Sequence, residues 1–162
     1  MSQYGDRGLD TGRSTSAVPC RIENLQSFLH GPWRFERKVH DTLIDQQGDC
    51  LGDASFLADG DKLIYREEGE LKMGDIETNT EREYHYTFPA PSLAEVRFPD
   101  GRFFHVLDLT KGIVRVEHQC GEDTYHGLSR VLSDKAWLSV WRVTGPKKNQ
   151  VITTHYLRVT VS

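Results

Sequence analysis

Beyond residue 31 the chain consists of short runs in which apolar and polar residues alternate, and turn sequences separate the runs. The runs are rich in Val, Phe, Tyr and Trp, and the turns contain Asp-Gly, Pro-Asp-Gly, Gly-Glu or Gly-Pro. A period of two is typical of strands that have one buried face. About ten such runs follow one another with no helical pattern between them. They predict an all-β fold, a single up-and-down antiparallel β-barrel of about ten strands.

The segment before the first strand has a different pattern. In "CRIENLQSFLHG" apolar side chains recur at helical spacing, and Gly31 provides a stop signal. These apolar positions are Ile22, Leu25, Phe28 and Leu29. We expect one short amphipathic helix here, closing one end of the barrel. Residues 1–19 have almost nothing to bury and are predicted to be a disordered tail, which leaves 20–162 as the barrel domain.

Composition argues against several classes of partner. The 162 residues carry a net charge of -4 with interspersed signs, so we expect no nucleic-acid surface. No apolar run approaches the roughly 20 residues of a membrane span, and no charged-then-apolar leader opens the chain. Cys20, Cys50 and Cys120 have no CxxC spacing, which favours a reducing, cytoplasmic setting over a disulfide framework. The pattern is compatible with a monomer or an oligomer.

Turn sequences assign faces to the strands, because the register of a hairpin decides which side chains lie opposite each other. In "FLADGDKLIYREEG" a turn at Asp59-Gly60 would point Glu67 inward. The inner pairs in that register are Phe56 with Leu63, Ala54 with Tyr65, and Gly52 with Glu67. On the outer face, Asp53 would form an ion pair with Arg66.

The stretch "VRVEHQCGEDTYHG" (114–127) allows the same reasoning. A two-residue turn at Gly121-Glu122 has Gly first, as a type II′ turn prefers. The polar residues that this register places on the inner face, beside Val114 and Val116, are His118, Cys120, Asp123 and Tyr125. We therefore predict that these four side chains point into the barrel near the ends of two strands.

Other strands contribute polar residues to the same interior. Alternation in "WRFERKV" points Arg37 inward, and alternation in "REYHYTF" does the same for the inner residues Arg82, Tyr84 and Tyr86. In "RFPDGRFFHV" a plain Asp-Gly turn would point His105 inward, whereas a bulged Pro-Asp-Gly loop would point it outward. Because neighbouring strands run in opposite directions, we expect one end of the barrel, its mouth, to collect Arg37, Glu67, Arg82, the 120–123 tip and the Lys147-Lys148 turn.

Two short motifs bracket the strands. Gly31-Pro32-Trp33 opens the first strand directly after the helix, and Tyr156-Leu157-Arg158 lies near the end of the last one. This layout resembles the calycin superfamily, which includes lipocalins, fatty-acid-binding proteins and nitrobindin-like haem barrels. The resemblance implies that Trp33 packs under Arg158 at the bottom of the barrel. The stretches "REEG", "DGRFFH", "HQCGEDTY" and "VTGPKKN" also resemble a family of small calycin-like proteins without an assigned activity, so the resemblance implies a fold and not a reaction.

The leading functional hypothesis is a barrel that binds one small molecule and holds a polar, partly cationic site at its mouth. Arg37 and Arg82 would bind a carboxylate or phosphate of the ligand, because guanidinium groups suit planar anions. An aromatic or hydrophobic body would lie against a wall formed by Tyr65, Tyr84 and Tyr86. The remaining ligand-binding candidates are Glu67, His118, Cys120 and Tyr125.

An enzyme on the same barrel is the main alternative, catalysing an isomerisation, cyclisation, decarboxylation or lyase reaction. His118 would act as general acid or base, oriented by Asp123 or Tyr125. Glu67 would supply a second carboxyl group. A strongly perturbed pKa of His118 or Glu67 would favour this alternative.

Two further hypotheses concern metals and partner proteins. His118, Cys120 and Asp123 could supply zinc ligands, and one inward histidine could bind haem, but no second His or Cys is firmly on that face. We therefore predict no stoichiometric metal, and no particular cofactor is indicated. An interaction module with a vestigial cavity would have polar groups that satisfy one another, whereas an open mouth with unpaired Arg37 and His118 would favour binding or catalysis.

Overall fold

The computed structural model describes residues 20–160, so the predicted tail at 1–19 lies outside the described residues. The helix α1 spans Leu25–Leu29. The strands are β1 Gly31–Asp41, β2 Gln46–Asp59, β3 Lys62–Met73, β4 Ile76–Ala90, β5 Leu93–Arg97, β6 Phe103–Asp108, β7 Ile113–Cys120, β8 Asp123–Ser133, β9 Ala136–Thr144 and β10 Asn149–Arg158. Among these residues no helix has the length and apolar character needed to cross a lipid bilayer.

The strands form one antiparallel sheet in the order β6-β5-β4-β3-β2-β1-β10-β9-β8-β7. Every strand is hydrogen-bonded to its neighbour in the chain except at the β6–β7 connection, and β1 is joined to β10. β6 and β7 lie side by side without a backbone ladder, which leaves the barrel nearly closed. Over residues 20–160, the prediction of an all-β, up-and-down antiparallel barrel with one short helix is confirmed.

The chain ahead of α1 joins β8, on one side of this open seam, to the end of β6 on the other side. The backbone N–H of Cys20 donates to Val131 on β8 at 3.4 Å, and that of Ile22 donates to Leu109, which follows β6, at 3.3 Å. The hydroxyl of Ser92, between β4 and β5, donates to the carbonyl of Ile22 at 2.6 Å. The bottom of the barrel is therefore held on both sides of the seam.

The helix is shorter than the predicted segment because its N-cap lies inside that segment. Asn24 has extended backbone angles, and its side chain accepts a hydrogen bond from the N–H of Ser27 at 2.9 Å, which is a typical N-cap. Leu25 and Leu29 are fully buried against the barrel. Gly31 follows with a φ of +104° and turns the chain into β1.

Trp33 and Arg158 lie together at the bottom of the barrel, as the calycin resemblance implies. The guanidinium carbon of Arg158 is 4.0 Å from the centroid of the Trp33 ring, within cation–π range. The indole N–H of Trp33 donates to the carbonyl of Leu29 at 2.7 Å. Arg158 donates to the carbonyls of His30, at 2.7 Å, and Phe28. One cation thus joins the last strand, the first strand and the C-terminal end of α1.

The β2–β3 hairpin has a different register from the predicted one. Its turn is at Gly60-Asp61 rather than Asp59-Gly60, because Gly60, with a φ of +62°, occupies the first turn position. The pairs observed are Phe56 with Tyr65, Ala58 with Leu63, Ala54 with Glu67, and Gly52 with Gly69. The register differs by two residues, so each side chain keeps its predicted face.

The outer ion pair predicted from that register is wrong for the same reason. Arg66 pairs with Glu83 at 2.7 Å, and Asp53 lies 3.9 Å from Arg34. These contacts are exposed, so they contribute little to stability.

Candidate functional site

The barrel encloses a cavity of about 420 Å³. It extends from Trp137, near the lower end of β9, to Lys148, in the hairpin between β9 and β10 at the mouth. This volume is within the range of small-molecule sites in proteins. Every residue predicted for the site lines the cavity except Asp123: the lining includes Arg37, Tyr65, Glu67, Arg82, Tyr84, Tyr86, His118, Cys120 and Tyr125.

The β7–β8 hairpin has the predicted register. Gly121, with a φ of +60°, takes the first position of a two-residue turn with Glu122, as the type II′ prediction requires. The facing pairs are His118 with Tyr125, Cys120 with Asp123, and Val116 with Gly127. His118 and Tyr125 therefore enter the cavity from adjacent strands, with ring centroids 6.2 Å apart.

Asp123 shares this face but not the cavity. Its carboxylate is 3.4 Å from the ammonium group of Lys148 and packs against Gly145, where a side chain would collide with it. His118 forms no hydrogen bond with Asp123, Tyr125 or any other residue from 20 to 160. The geometry predicted for an oriented acid–base histidine is therefore not present.

Arg37 and Glu67 form an ion pair inside the barrel. They are 5% and 3% exposed, and the two terminal nitrogens of Arg37 donate to the two carboxylate oxygens of Glu67 at 2.7 and 2.8 Å. The third donor, Nε, bonds to the hydroxyl of Thr154 at 2.9 Å. Three of the five N–H groups of Arg37 are thus bonded, including the two at the end of the side chain that would otherwise bind an anion in a bidentate manner.

The pair is stabilised by its surroundings. Burial by itself would raise the pKa of Glu67, but the hydrogen bonds and charge of Arg37 outweigh burial and lower that pKa. Tyr65 donates a further hydrogen bond to Glu67 at 2.8 Å, and its oxygen lies 3.1 Å from that of Tyr156. Burial raises the pKa of Tyr65, so this phenol stays protonated as a donor. Glu67 is thus a fixed carboxylate rather than a proton donor.

Arg82 is a second arginine of the cavity lining, and it takes no part in the hydrogen bonds of Arg37 and Glu67. It lies opposite Glu67 in the β3–β4 ladder, lines the cavity and is exposed at the mouth. Within the described part of the chain it has no hydrogen bond or salt bridge, and its charge helps to lower the pKa of Glu67. The other cations of the lining are engaged, Arg102 with Asp100 at 2.7 Å and Lys148 with Asp123.

His105 faces the cavity although its hairpin carries a bulge. The register shifts between Val96 and Arg97, so the bulge lies in β5–β6 pairing, yet Val96 still faces His105. The two predicted alternatives paired a plain turn with an inward His105 and a bulge with an outward one. The structure instead combines the bulge with an inward His105. The bulge instead lets the adjacent Phe104 line the cavity too.

Aromatic rings form much of the wall on the seam side. Phe98 and Phe104 stack with centroids 4.8 Å apart, and Phe104 stacks on Trp141 at 5.0 Å. Phe104 is 5.3 Å from His118, so these rings cover the upper part of the open β6–β7 seam. Trp141 lies flat over Gly127, where an added Cβ would be 2.6 Å from the indole. A glycine is required there by this close approach.

Sequence reasoning missed several lining residues, including Phe98, Phe104, Ser129, Ser139, Gln150 and Thr154. Two of them, Ser129 and Ser139, are predictable from the sequence. The β7–β8 register, extended by one more inner pair, places Ser129 opposite Val114. Alternation along "AWLSVWRVT" places Ser139 between Trp137 and Trp141 on one face. The Pro-Asp-Gly turn indicates the bulge beside Phe104, but it does not indicate that Phe104 and His105 would both line the cavity.

Metal ligands are not grouped in the described part of the chain. Between residues 20 and 160, no cluster of three or more His, Cys, Asp or Glu side chains is arranged to hold a metal ion. Cys20, Cys50 and Cys120 are free thiols, and of these Cys120 lines the cavity near its mouth. The site is built from aromatic rings, hydroxyl groups, two histidines and one cation, Arg82, that has no partner among the residues described, and this lining suits an organic molecule.

A sequence profile of a family of unknown function, DUF6314, matches residues 29–158. The chain belongs to DUF6314. The match runs from the last residue of α1 to the end of β10, so this DUF6314 barrel is covered almost whole. No curated protein matches the chain significantly.

Two solved structures have the same fold as this DUF6314 member. The S-type phycobiliprotein lyase CPES from Guillardia theta aligns with a TM-score of 0.57 at 9% identity, over 84% of this chain and 91% of the lyase. A protein of unknown function from the DUF3598 family of Nostoc punctiforme aligns with a TM-score of 0.56 at 13% identity. That alignment covers 88% of this chain but 51% of the Nostoc protein. At these identities the similarity shows a shared fold.

Proposed function

We propose that the barrel binds a small organic anion with a flat aromatic or conjugated body. The observation that carries this proposal is a 420 Å³ cavity with aromatic walls and one cation, Arg82, that has no salt bridge within the described residues. A carboxylate, sulfonate or phosphate of the ligand would take the place of that missing partner. The body would lie against the rings of Tyr84, Phe104 and Trp141, which contact one another along the cavity wall.

Arg37 and Glu67 have a supporting role in this proposal. They were candidates for direct ligand contact, but they already satisfy each other, so we assign them the task of fixing the inner wall. Through Tyr65 and Tyr156 the pair connects β1, β3 and β10. His118, Cys120 and Tyr125 remain proposed contacts at the mouth.

As part of the proposal we place the barrel in the calycin superfamily, with a cytoplasmic location. The cation–π contact of Arg158 on Trp33 at the closed end supports the first assignment. Three free cysteines support the second, since thiols persist in a reducing compartment. The catalytic alternative has less support, because His118 lacks a carboxylate to orient it.

We expect Arg82→Ala to weaken binding of naphthalene-2-sulfonate about tenfold, because a charged hydrogen bond to the sulfonate is lost at an exposed site. Isothermal titration calorimetry at low and high salt measures the change, and the wild-type affinity should fall as salt rises. Arg34→Ala, which removes an arginine on the outer face of β1, is the matched control. Equal loss in both variants, or no binding by the wild type, would refute the proposal.

A further inference from the structure

Two hydroxyl groups on the cavity wall have no hydrogen-bond partner among residues 20–160. Ser129 on β8 and Ser139 on β9 face each other in the ladder, line the cavity and are 7% and 6% exposed. Neither hydroxyl forms a hydrogen bond with another residue of the described range. Both hydroxyl groups remain accessible from the cavity, so a molecule inside it can supply the hydrogen bonds that the described residues do not.

The hydroxyl group of Thr154, on the next strand, has a structural role. Thr154 on β10 lies opposite Ser139 and continues the same row of inward positions. Its hydroxyl is used, since it accepts the hydrogen bond from Nε of Arg37 at 2.9 Å. The row is therefore satisfied by the protein at one end and open to the cavity at Ser129 and Ser139.

His105 adds a fixed acceptor to the lining of the same cavity. Its Nδ1 lies 3.0 Å from the carbonyl oxygen of Val106, which can only accept, so Nδ1 carries the proton. Burial lowers the pKa of His105 to about 4, which keeps the ring neutral and leaves Nε2 unprotonated. The ring contacts Trp141 at 5.0 Å, and Trp141 shares the inner face of β9 with Ser139.

We propose that Ser129, Ser139 and His105 form an inner subsite for a hydroxyl or N–H group of the ligand. An acceptor-only nitrogen requires a donor, and the two serine hydroxyls can either donate or accept beside it. The inference rests on the proposed function and narrows its ligand class to aromatic or conjugated molecules with an anionic group at one end and a neutral donor at the other. The donor end enters first, because the inner groups are neutral and the free cation, Arg82, is at the mouth. A fatty acid would instead press an apolar chain against the open hydroxyls.

Two probes that differ by one hydroxyl group test this subsite. Isothermal titration calorimetry compares naphthalene-2-sulfonate with 6-hydroxynaphthalene-2-sulfonate on the full chain. We expect the wild type to bind the hydroxylated probe about five- to tenfold more tightly, as a neutral hydrogen bond allows. The double variant Ser129→Ala/Ser139→Ala should bind the two probes within about twofold of each other and keep its affinity for the parent compound. Ser55→Ala, on the outer face of β2, should keep the wild-type preference.

The outcomes separate the two proposals. If neither probe binds, the proposed function itself fails. If both probes bind the wild type equally, the cavity binds aromatic anions but the inner subsite is refuted. A preference that survives unchanged in the double variant, with the melting temperature preserved, also overturns the assignment to the serines. The single variants Ser129→Ala and Ser139→Ala give the same reading should the double variant fail to fold.

Discussion

Glu67→Gln should lower the free energy of unfolding by about 3–5 kcal/mol, the usual cost of leaving one member of a buried ion pair without its partner. The amide keeps the shape of the carboxyl group, but it cannot neutralise Arg37, which is 5% exposed and bound by both carboxylate oxygens. Urea denaturation followed by circular dichroism measures the loss. Glu68→Gln, one residue along and on the outer face of β3, should change the free energy by less than about 0.5 kcal/mol.

The same pair sets the acid stability of the fold. The pKa of Glu67 is lowered in the folded state, so its contribution is complete above the ordinary carboxyl pKa of about 4.3. That contribution is lost as the pH falls from there through the folded pKa. Glu67→Gln should therefore flatten the decline in stability below that pH. A loss of less than about 1 kcal/mol, with an unchanged acid limb, would mean that the pair does not hold the wall together.

Trp33→Ala should lower the free energy of unfolding by about 3–5 kcal/mol, the range for truncating a large buried aromatic side chain. Trp33 is fully buried, its N–H bonds to Leu29, and its ring carries Arg158. The change therefore removes the side chain that packs between the closed end of the barrel and α1. Equilibrium urea denaturation again gives the free energy.

Two other substitutions calibrate that result. Trp33→Phe keeps an aromatic ring but loses the hydrogen bond to Leu29. It should therefore lower the free energy of unfolding, but by less than Trp33→Ala does. Phe103→Ala removes a ring that is 44% exposed and should cost much less. Equal, small losses in Trp33→Ala and Phe103→Ala would contradict the view that Trp33 joins the helix to the barrel.

The sequence predicts the architecture and the faces of most strands because side-chain alternation and turn chemistry are local properties. At Gly121 the residue type dictates the turn, and the turn dictates the register of β7 and β8. The predicted turn at Asp59-Gly60 is one residue too early. This error shifts the register by two residues, an even number, so the prediction that Glu67 faces inward still holds. The predicted contact of Trp33 with Arg158 came from the calycin layout.

What the sequence does not specify is how inward side chains share their partners. Arg37 and Arg82 are equivalent as inward arginines, but only Arg37 lies where Glu67 and Thr154 can bind all three of its guanidinium nitrogens. Asp123 faces inward by register, yet Lys148 holds it at the rim. Such choices depend on strands that are distant in the chain, and on the curvature of the barrel, which no local pattern encodes.

The three tryptophans allow the most direct test of ligand binding inside the barrel. Trp137 and Trp141 line the cavity, whereas Trp33 lies beneath it and is bonded to Leu29. A ¹H–¹⁵N NMR titration with naphthalene-2-sulfonate resolves their three indole N–H signals. We expect the signals of Trp137 and Trp141 to move and to saturate together at one equivalent, while that of Trp33 moves least. Saturable binding with all three indole signals unmoved, or with shifts confined to exposed residues such as Leu57, would contradict a ligand site within the barrel.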